Sequence, residues 1–233
     1  MLGLRNRVVV PEVMDQPDLD PSSHQLALAG LARLNRLSRV PSTIWRSVSQ
    51  VLDGSKALSV LDLGCASGDV VLGLHQRALS AGVRLRIEGW DSSPVAIDQA
   101  TRAAERLCVP ACFRVRDVLI DELPSNYDVV MSNLLIHHLD DADAVRLLDR
   151  MGRAAGRLVV VDDLVRGPAG YLLALAGTRV LSRSSIVHTD GPRSVRAAFK
   201  PAEVVARARS AGLRRVRIRR HWPRRYLLLA APR

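Results

Sequence analysis

One stretch constrains the chain more than any other: Val60-Leu61-Asp62-Leu63-Gly64-Cys65-Ala66-Ser67-Gly68-Asp69. The run from Ala57 to Leu63 is apolar and uncharged until Asp62, which predicts a buried strand. Small residues then permit a tight turn, and the apolar segment Val70 to Leu79 predicts a helix. The same order returns along the sequence. Arg84 to Trp90 reads as a second strand, followed by a helix from Pro94 through Leu107, and Ala111 to Val118 reads as a third. Tyr127 to Ser132, the helix Ala142 to Ala155 and the strand Arg157 to Val161 continue the series. Such alternation packs as a parallel sheet with helices on both faces, an α/β fold. The end of the chain departs from it. After a helix from Pro201 to Ala211 and a stop at Gly212, strands Leu213 to Arg220 and Tyr226 to Ala230 are separated by too few residues for a parallel crossover, so they pair antiparallel.

The first fifty or so residues have another character. Gln16 to Pro21 is an acidic, proline-bounded turn, and Asp20, Pro21 and Ser22 supply a start for a helix over His24 to Leu37, with Leu28, Leu31, Ala32 and Leu34 at helical spacing. A second helix is expected after Ser42, through Ile44, Trp45, Val48 and Leu52, ending near Gly54. Residues 1–56 are accordingly read as a helical cap over the mouth of a domain spanning 57–233, in which 164–200 forms a lid or insert. Within that insert the apolar segment Tyr171 to Val180 is either a wall over a hydrophobic ligand or an ordinary core helix.

The turn after the first strand lets a ligand approach the backbone, and the helix that follows offers unpaired N–H groups. Its glycines stand at Gly64 and Gly68 with Ala66 between, which is not the G-x-G-x-x-G spacing that cradles a pyrophosphate. Asp91 directly follows the second strand, where a carboxylate can take both hydroxyls of a ribose. Asp117 closes the third, in position to accept from an adenine amino group, and Asn133, His137 and His138 follow the fourth. Acidic residues on successive strand ends beside a glycine turn describe a pocket for a cationic adenosine ligand.

At these residues the sequence resembles the class I S-adenosylmethionine-dependent methyltransferases, over roughly 57–233. Asp62-Leu63-Gly64-Cys65-Ala66-Ser67-Gly68 is similar to that family's first motif, Asp91 to its ribose-binding acid, Asp117-Val118 to its adenine-flanking pair, and Tyr127 to Asn133 to its fourth-strand motif. Ala66 departs from the usual middle glycine. The resemblance implies a Rossmann-like seven-stranded sheet with an antiparallel C-terminal strand, and S-adenosylmethionine as cofactor. It places Asp62, Gly64, Gly68, Asp91, Ser92, Asp117 and Asn133 at the donor, with Cys65 and Val118 as lining. Glu12 to Asp15, Pro17 to Asp20, His24, Leu31 to Asn35 and Ser38, with His188 to Gly191, Ser194 to Arg196, Ala198 and Phe199, resemble a bacterial small-molecule subgroup often associated with type III polyketide synthases. That likeness implies a small aromatic or hydrophobic acceptor such as a phenol or alkylresorcinol, and a place for Arg33, Asn35 and Ser38 near the donor.

Methyl transfer from a sulfonium is an in-line displacement, and a phenol near pKa 10 must shed its proton as the methyl arrives. Histidine is suited to accept it, so His137 and His188 are the candidate bases, with His138 beside them. Phenolic O-methylation is the leading reading, and C-methylation of a quinone or polyketide ring its alternative. The chain holds 34 lysines and arginines against 23 acidic residues, a net charge of +11, which raises a nucleic-acid acceptor. Against it, 3% of residues are aromatic, and Ser132-Asn133-Leu134-Leu135 stands where base-flipping amino methyltransferases resemble Asn-Pro-Pro-aromatic. On the strand from Arg214, Arg215, Arg217 and Arg219 are expected to share one solvated face. Three cysteines, Cys65, Cys108 and Cys112, make no disulfide framework or zinc pattern, so a reduced cytoplasmic protein with no bound metal is expected. Met1 to Val10 carries no targeting pattern, and the longest uncharged run that could suggest a membrane span, Gly167 to Thr178, is too short for one. A homodimer and a non-catalytic donor-binding role stay open.

Overall fold

The computed structural model describes residues 4–16, 18–125 and 127–233. Pro17 of the leading motif and the first three residues of the stretch read for a targeting signal lie outside them. Strand β1 (Ala57–Leu63) lies between β2 (Arg84–Asp91) and β4 (Tyr127–Asn133), parallel to both. Parallel pairing continues outward to β3 (Ala111–Val115) beyond β2 and to β5 (Ala155–Leu164) beyond β4. β7 (Arg225–Ala231) pairs antiparallel with β5, and β6 (Arg214–His221) antiparallel with β7, giving a seven-stranded sheet ordered β3-β2-β1-β4-β5-β7-β6. The chain leaves β1 toward one edge and returns on its other side with β4. At that reversal the connections diverge and a crevice opens outside the carboxyl ends of the strands.

Alternation along β1 divides the core. Leu61 and Leu63 face α5 (Asp141–Ala154) and α8 (Pro201–Ser210), while Leu58 and Val60 face α2 (Val40–Val48) and α3 (Asp69–Ser80). α4 (Pro94–Arg106), capped by the Ser93 side chain, covers β2 and the edge strand β3.

The two leading helices separate in role. α1 (Pro21–Leu37), capped by Asp20 accepting from Ser23 N–H at 2.9 Å, flanks the crevice. α2 starts at Val40 rather than after Ser42, because Arg39 takes a left-handed φ of 53° and Pro41 suits a first helical turn. Its Val40, Ile44 and Val48 are fully buried against α3 and the sheet, so α2 belongs to the domain's own layer and does not reach the mouth. Beside α1, α6 (Pro168–Leu181) and α7 (Ser185–Ala197) complete a helical lobe around Ala27, Ile186 and Val187.

A strap, residues 4–16, crosses this lobe. Arg7 donates through Nε to Ala197 O at 2.7 Å and through Nη2 to Leu139 O at 2.6 Å, and stacks 3.6 Å above the Phe199 ring. Buried Arg166 donates to Leu4 O at 3.3 Å and pairs with Glu203 at 2.6 Å. Asp190 of α7 accepts from the N–H groups of Val13 and Met14, both at 3.0 Å.

Two strand expectations change. β3 ends at Val115, which leaves Asp117 in the following turn. On β6, Arg215 has a φ of 49° and the ladder shifts between Arg214 and Arg217, so Arg215 drops out of the alternating arginine face. Arg217 and Arg219 remain exposed, while Val216 and Ile218 pack onto the core.

Candidate functional site

The loop from β1 to α3 is fixed by backbone bonds. Gly64 and Cys65 N–H both donate to Trp90 O, at 2.8 and 2.9 Å, and Ala66 N–H donates to Asp91 Oδ2 at 2.9 Å. Asp91 Oδ1 accepts from Ser93 N–H at 2.9 Å, so this carboxylate holds both the glycine loop and the start of α4. Gly64 has a φ of +70°, and a Cβ there would stand 3.1 Å from Leu135 Cδ1. Ala66 has a φ of 46°, the left-handed region that costs a side chain. Gly68, the N-cap of α3, serves this turn and is not among the residues facing the crevice.

The crevice is a cavity of about 990 Å³, near the upper end of small-molecule sites and roomy enough for two ligands side by side. Its sheet side is acidic. Asp62 is 1% exposed and its Oδ1 has no hydrogen-bond partner among the described residues. Burial, with Asp69 and Asp91 nearby, holds its carboxyl well above the usual range. Burial likewise pushes Asp69 up to about 6, against the hydrogen bond from Asn35 Nδ2 at 3.1 Å, and raises Asp91 despite its two backbone donors. Three carboxyls raised by desolvation around one space are what a cationic ligand relieves. Cys65 lines the same wall, its thiol pushed up by burial and therefore unreactive.

Arg225 completes this side, and sequence reasoning missed it among the arginines of the C-terminal strands. It is 3% exposed, donates through Nε to Asp162 Oδ1 at 2.6 Å, and also donates to Asn133 Oδ1 and, at 3.4 Å, to Asn35 Oδ1. Asp162, fully buried on β5, is held on its other oxygen by His221 Nε2 at 2.6 Å. One guanidinium thus joins α1, β4, β5 and β7 beneath the cavity floor. Asn35 and Ser38 line the cavity as the leading motif implied, whereas Arg33 turns its Nε to Leu181 O at 3.0 Å.

The lobe side is apolar, walled by Leu28, Leu31, Leu173, Ala174, Leu181 and Val187. α6 is therefore a wall of the cavity through Leu173, Gly177 and Leu181, while Leu172 and Val180 on its other side stay exposed. Where the acidic and apolar sides meet stands His137. It is 2% exposed, Nδ1 donates to Asp163 Oδ1 at 2.8 Å, and Nε2 lies 3.5 Å from Glu12 Oε1. Burial alone would lower this imidazole, but Asp163 and Glu12 outweigh it and push it up to about 10. Burial would raise Glu12, yet His137, His138 and the Ser194 hydroxyl hold it below the usual carboxylate range. Glu12 was not singled out by sequence as a reacting group. It reaches the cavity only because Asp190 and Ser194 of α7 clamp the strap.

The structure brings Asp62, Gly64, Cys65, Asp91, Ser92, Asp117, Val118, Asn133 and His137 to one cavity. Asp117 is exposed in its turn, accepting from Leu119 N–H at 2.8 Å. His188 is not brought there. α7 turns it outward, with Nε2 2.8 Å from Ser182 O, because Val187, Asp190, Gly191 and Ser194 occupy the helix face toward the cavity.

Residues 60–156, the stretch that carries the glycine loop and the strand-end acids, match a family described as a methyltransferase domain. Over 163 residues the chain is 27% identical to the ubiquinone biosynthesis O-methyltransferase of Pseudomonas fluorescens strain Pf-5, covering 69% of this chain and 66% of that protein. Among solved structures, a SAM-dependent methyltransferase from Aquifex aeolicus superposes with a TM-score of 0.63 at 17% identity, covering 92% of this chain and 99% of that one. Magnesium protoporphyrin IX methyltransferase from Synechocystis, with bound SAH, gives 0.58 at 19% identity, covering 84% and 83%. The likeness extends to the Rossmann-like sheet with its antiparallel end.

Proposed function

We propose that the chain is an S-adenosylmethionine-dependent O-methyltransferase whose acceptor is a small, apolar aromatic hydroxyl compound. One observation carries this: a single cavity in which the raised carboxyls of Asp62, Asp69 and Asp91 face an apolar chamber walled by α1, α6 and α7. The unpartnered Oδ1 of Asp62 and the cationic character that the acidic wall demands fit this donor. When bound it supplies an electrophilic methyl group. Asp91 would hold the ribose, Asp117 and Val118 would flank the adenine, and Asp62 and Asp69 would offset the positive charge. Asn133 and Arg225 stiffen the floor on which the donor rests. The apolar wall excludes water and leaves an aromatic ring a place to stack against leucines.

On the acceptor side we place Glu12 as the group that takes the hydroxyl proton and His137 as its positioning partner: the carboxylate meets the cavity, and the imidazole, pushed up to about 10 and so already protonated near neutral pH, is held between Glu12 and Asp163. The relatives' printed role in ubiquinone biosynthesis supports a ring hydroxyl acceptor, and the subgroup resemblance supports an alkylated phenol of polyketide origin.

The test is transfer of labelled methyl from S-adenosylmethionine to alkylresorcinols, other phenols, demethylated quinones and total RNA, with products resolved by mass. Label in a phenol ether is expected, with donor affinity at least tenfold weaker in Asp91→Ala, since a charge-assisted ribose contact and the loop's anchor go together. Label on ring carbon would shift the reaction to C-methylation, and label in RNA would overturn the acceptor class.

A further inference from the structure

Glu12, His137 and His138 stand together at the seam of the cavity, and each offers one donor atom within 4.8 Å of the other two. The two histidines are held alike. His137 Nδ1 is tied to Asp163 at 2.8 Å and His138 Nδ1 to Asp15 at 3.0 Å, so both rings turn Nε2 toward the same carboxylate, at 3.5 and 3.9 Å from its two oxygens. Those gaps are long for hydrogen bonds. They suit ligands sharing one ion, since donors about 2.1 Å from a tetrahedral metal sit roughly 3.4 Å apart. A carboxylate on the far nitrogen is also the usual support of a metal-bound imidazole, fixing tautomer and ring orientation. Here that support occurs twice, from elements remote in sequence: β5 carries Asp163 and the strap carries Asp15.

We propose that Glu12 and the Nε2 atoms of His137 and His138 form a three-ligand site for a divalent first-row transition ion, with an open position toward the cavity. Two imidazoles with one carboxylate favour zinc, cobalt, iron or manganese over magnesium or calcium. Three protein ligands leave room for an exogenous oxygen, as catalytic rather than structural sites do. In the wet cavity that place falls to a water or, if the proposed function holds, to the acceptor hydroxyl. Binding of the ion does not depend on that reading; with the ion bound, Glu12 and His137 Nε2 are engaged as ligands, so in methyl transfer the ion would replace them and itself polarise the hydroxyl. The ion also joins the strap to the loop after β4, so its binding tightens the cavity wall. The sequence reading expected no metal from the lack of a cysteine pattern; these ligands, 125 residues apart, form no short motif that would have drawn notice.

Cobalt(II) chloride is the probe, titrated into the full-length apoprotein in a weakly coordinating buffer and read by calorimetry and by visible absorption. Saturation at one equivalent with d–d bands of a four- or five-coordinate ion is expected. His138→Ala, a partly exposed position whose loss leaves the core intact, and Glu12→Gln are each expected to weaken binding at least tenfold and abolish the bands. Asp163→Asn, which touches no ion, should weaken it about 10–100-fold. No saturable binding to the wild type, or the same bands and affinity in His138→Ala and Glu12→Gln, overturns the site. Methyl transfer is scored separately: transfer with no ion at the triad removes this proposal alone, while an ion at the triad with no transfer to any acceptor removes the proposed function and leaves the site.

Discussion

Replacing Arg225 by methionine keeps most of the side-chain volume and removes the charge that joins four elements under the cavity. Asp162, with no exposed surface, would then keep the His221 ring as its remaining side-chain partner. Breaking a buried pair from one side costs about 3–5 kcal/mol, because the surviving charge is left desolvated. The retained bond from His221 holds the cost toward the lower end. Asn133 and Asn35 also lose a donor, but both face a water-accessible cavity and add little. Arg225→Met should therefore destabilise the fold by about 3 kcal/mol, or lower Tm by roughly 6–12 °C for a chain of this size. Urea unfolding followed by tryptophan fluorescence measures it, with Asp162→Asn and the double variant closing a cycle. Neutralising Asp162 removes the stranded charge, so the double variant should be at least 1 kcal/mol more stable than the sum of the singles implies. A single-variant cost below 1 kcal/mol, or strict additivity, would refute the account of Arg225 as the counter-charge of Asp162.

Two further outcomes follow from the donor side. With Asp69 near 6, about half its population is protonated at pH 6; a cationic ligand expels that proton, so affinity for S-adenosylmethionine rises as pH climbs through 6. Without ligand the sign reverses for stability: the folded state holds this proton more tightly than the unfolded one, so stability falls as pH rises from about 4 through 6. Calorimetry at pH 6 in two buffers of different ionisation enthalpy should give different apparent enthalpies for the wild type and a smaller difference for Asp69→Asn, the remainder coming from the other raised carboxyls; equal wild-type values exclude Asp69 from the linkage. Ala66→Gly should leave stability unchanged or raise it by up to about 1 kcal/mol, since relief of a left-handed alanine outweighs the added freedom of the unfolded chain; a loss above 1 kcal/mol by thermal unfolding would contradict that balance.

The strand ends and the loop after β1 were readable because their signal is local. An apolar run, a small-residue turn and an acid after each strand lie within ten residues of one another, and β1, α3, β2 and α4 emerge within a residue or two of expectation. The lobe side was not readable in this way. Arg225 sits in a run of arginines, and charge alone does not tell a guanidinium beneath a cavity from one in solvent; only β7's place between β5 and β6 decides it. Glu12 belongs to a segment without periodicity and gains its position from Asp190 and Ser194, some 180 residues away. His188 illustrates the reverse. Its polar neighbours in sequence look like a site, yet the helical period of α7 sends Asp190 and Ser194 inward and His188 out. Arg215 was placed on an alternating face that the bulge in β6 interrupts.

The strap has a consequence for assembly. Its anchors, Arg7 on Ala197 and Leu139, Glu12 on His137 and Ser194, and Leu4 on Arg166, all join the earliest part of the chain to its last hundred residues. Such contacts carry the largest loop-closure cost and form late, after the sheet and its helices are in place. During synthesis the strap leaves the ribosome before its partners and waits for them, so the nascent domain passes through a stage with a finished acidic floor and an open apolar chamber, its leucine walls exposed to solvent and to any chaperone that reads them.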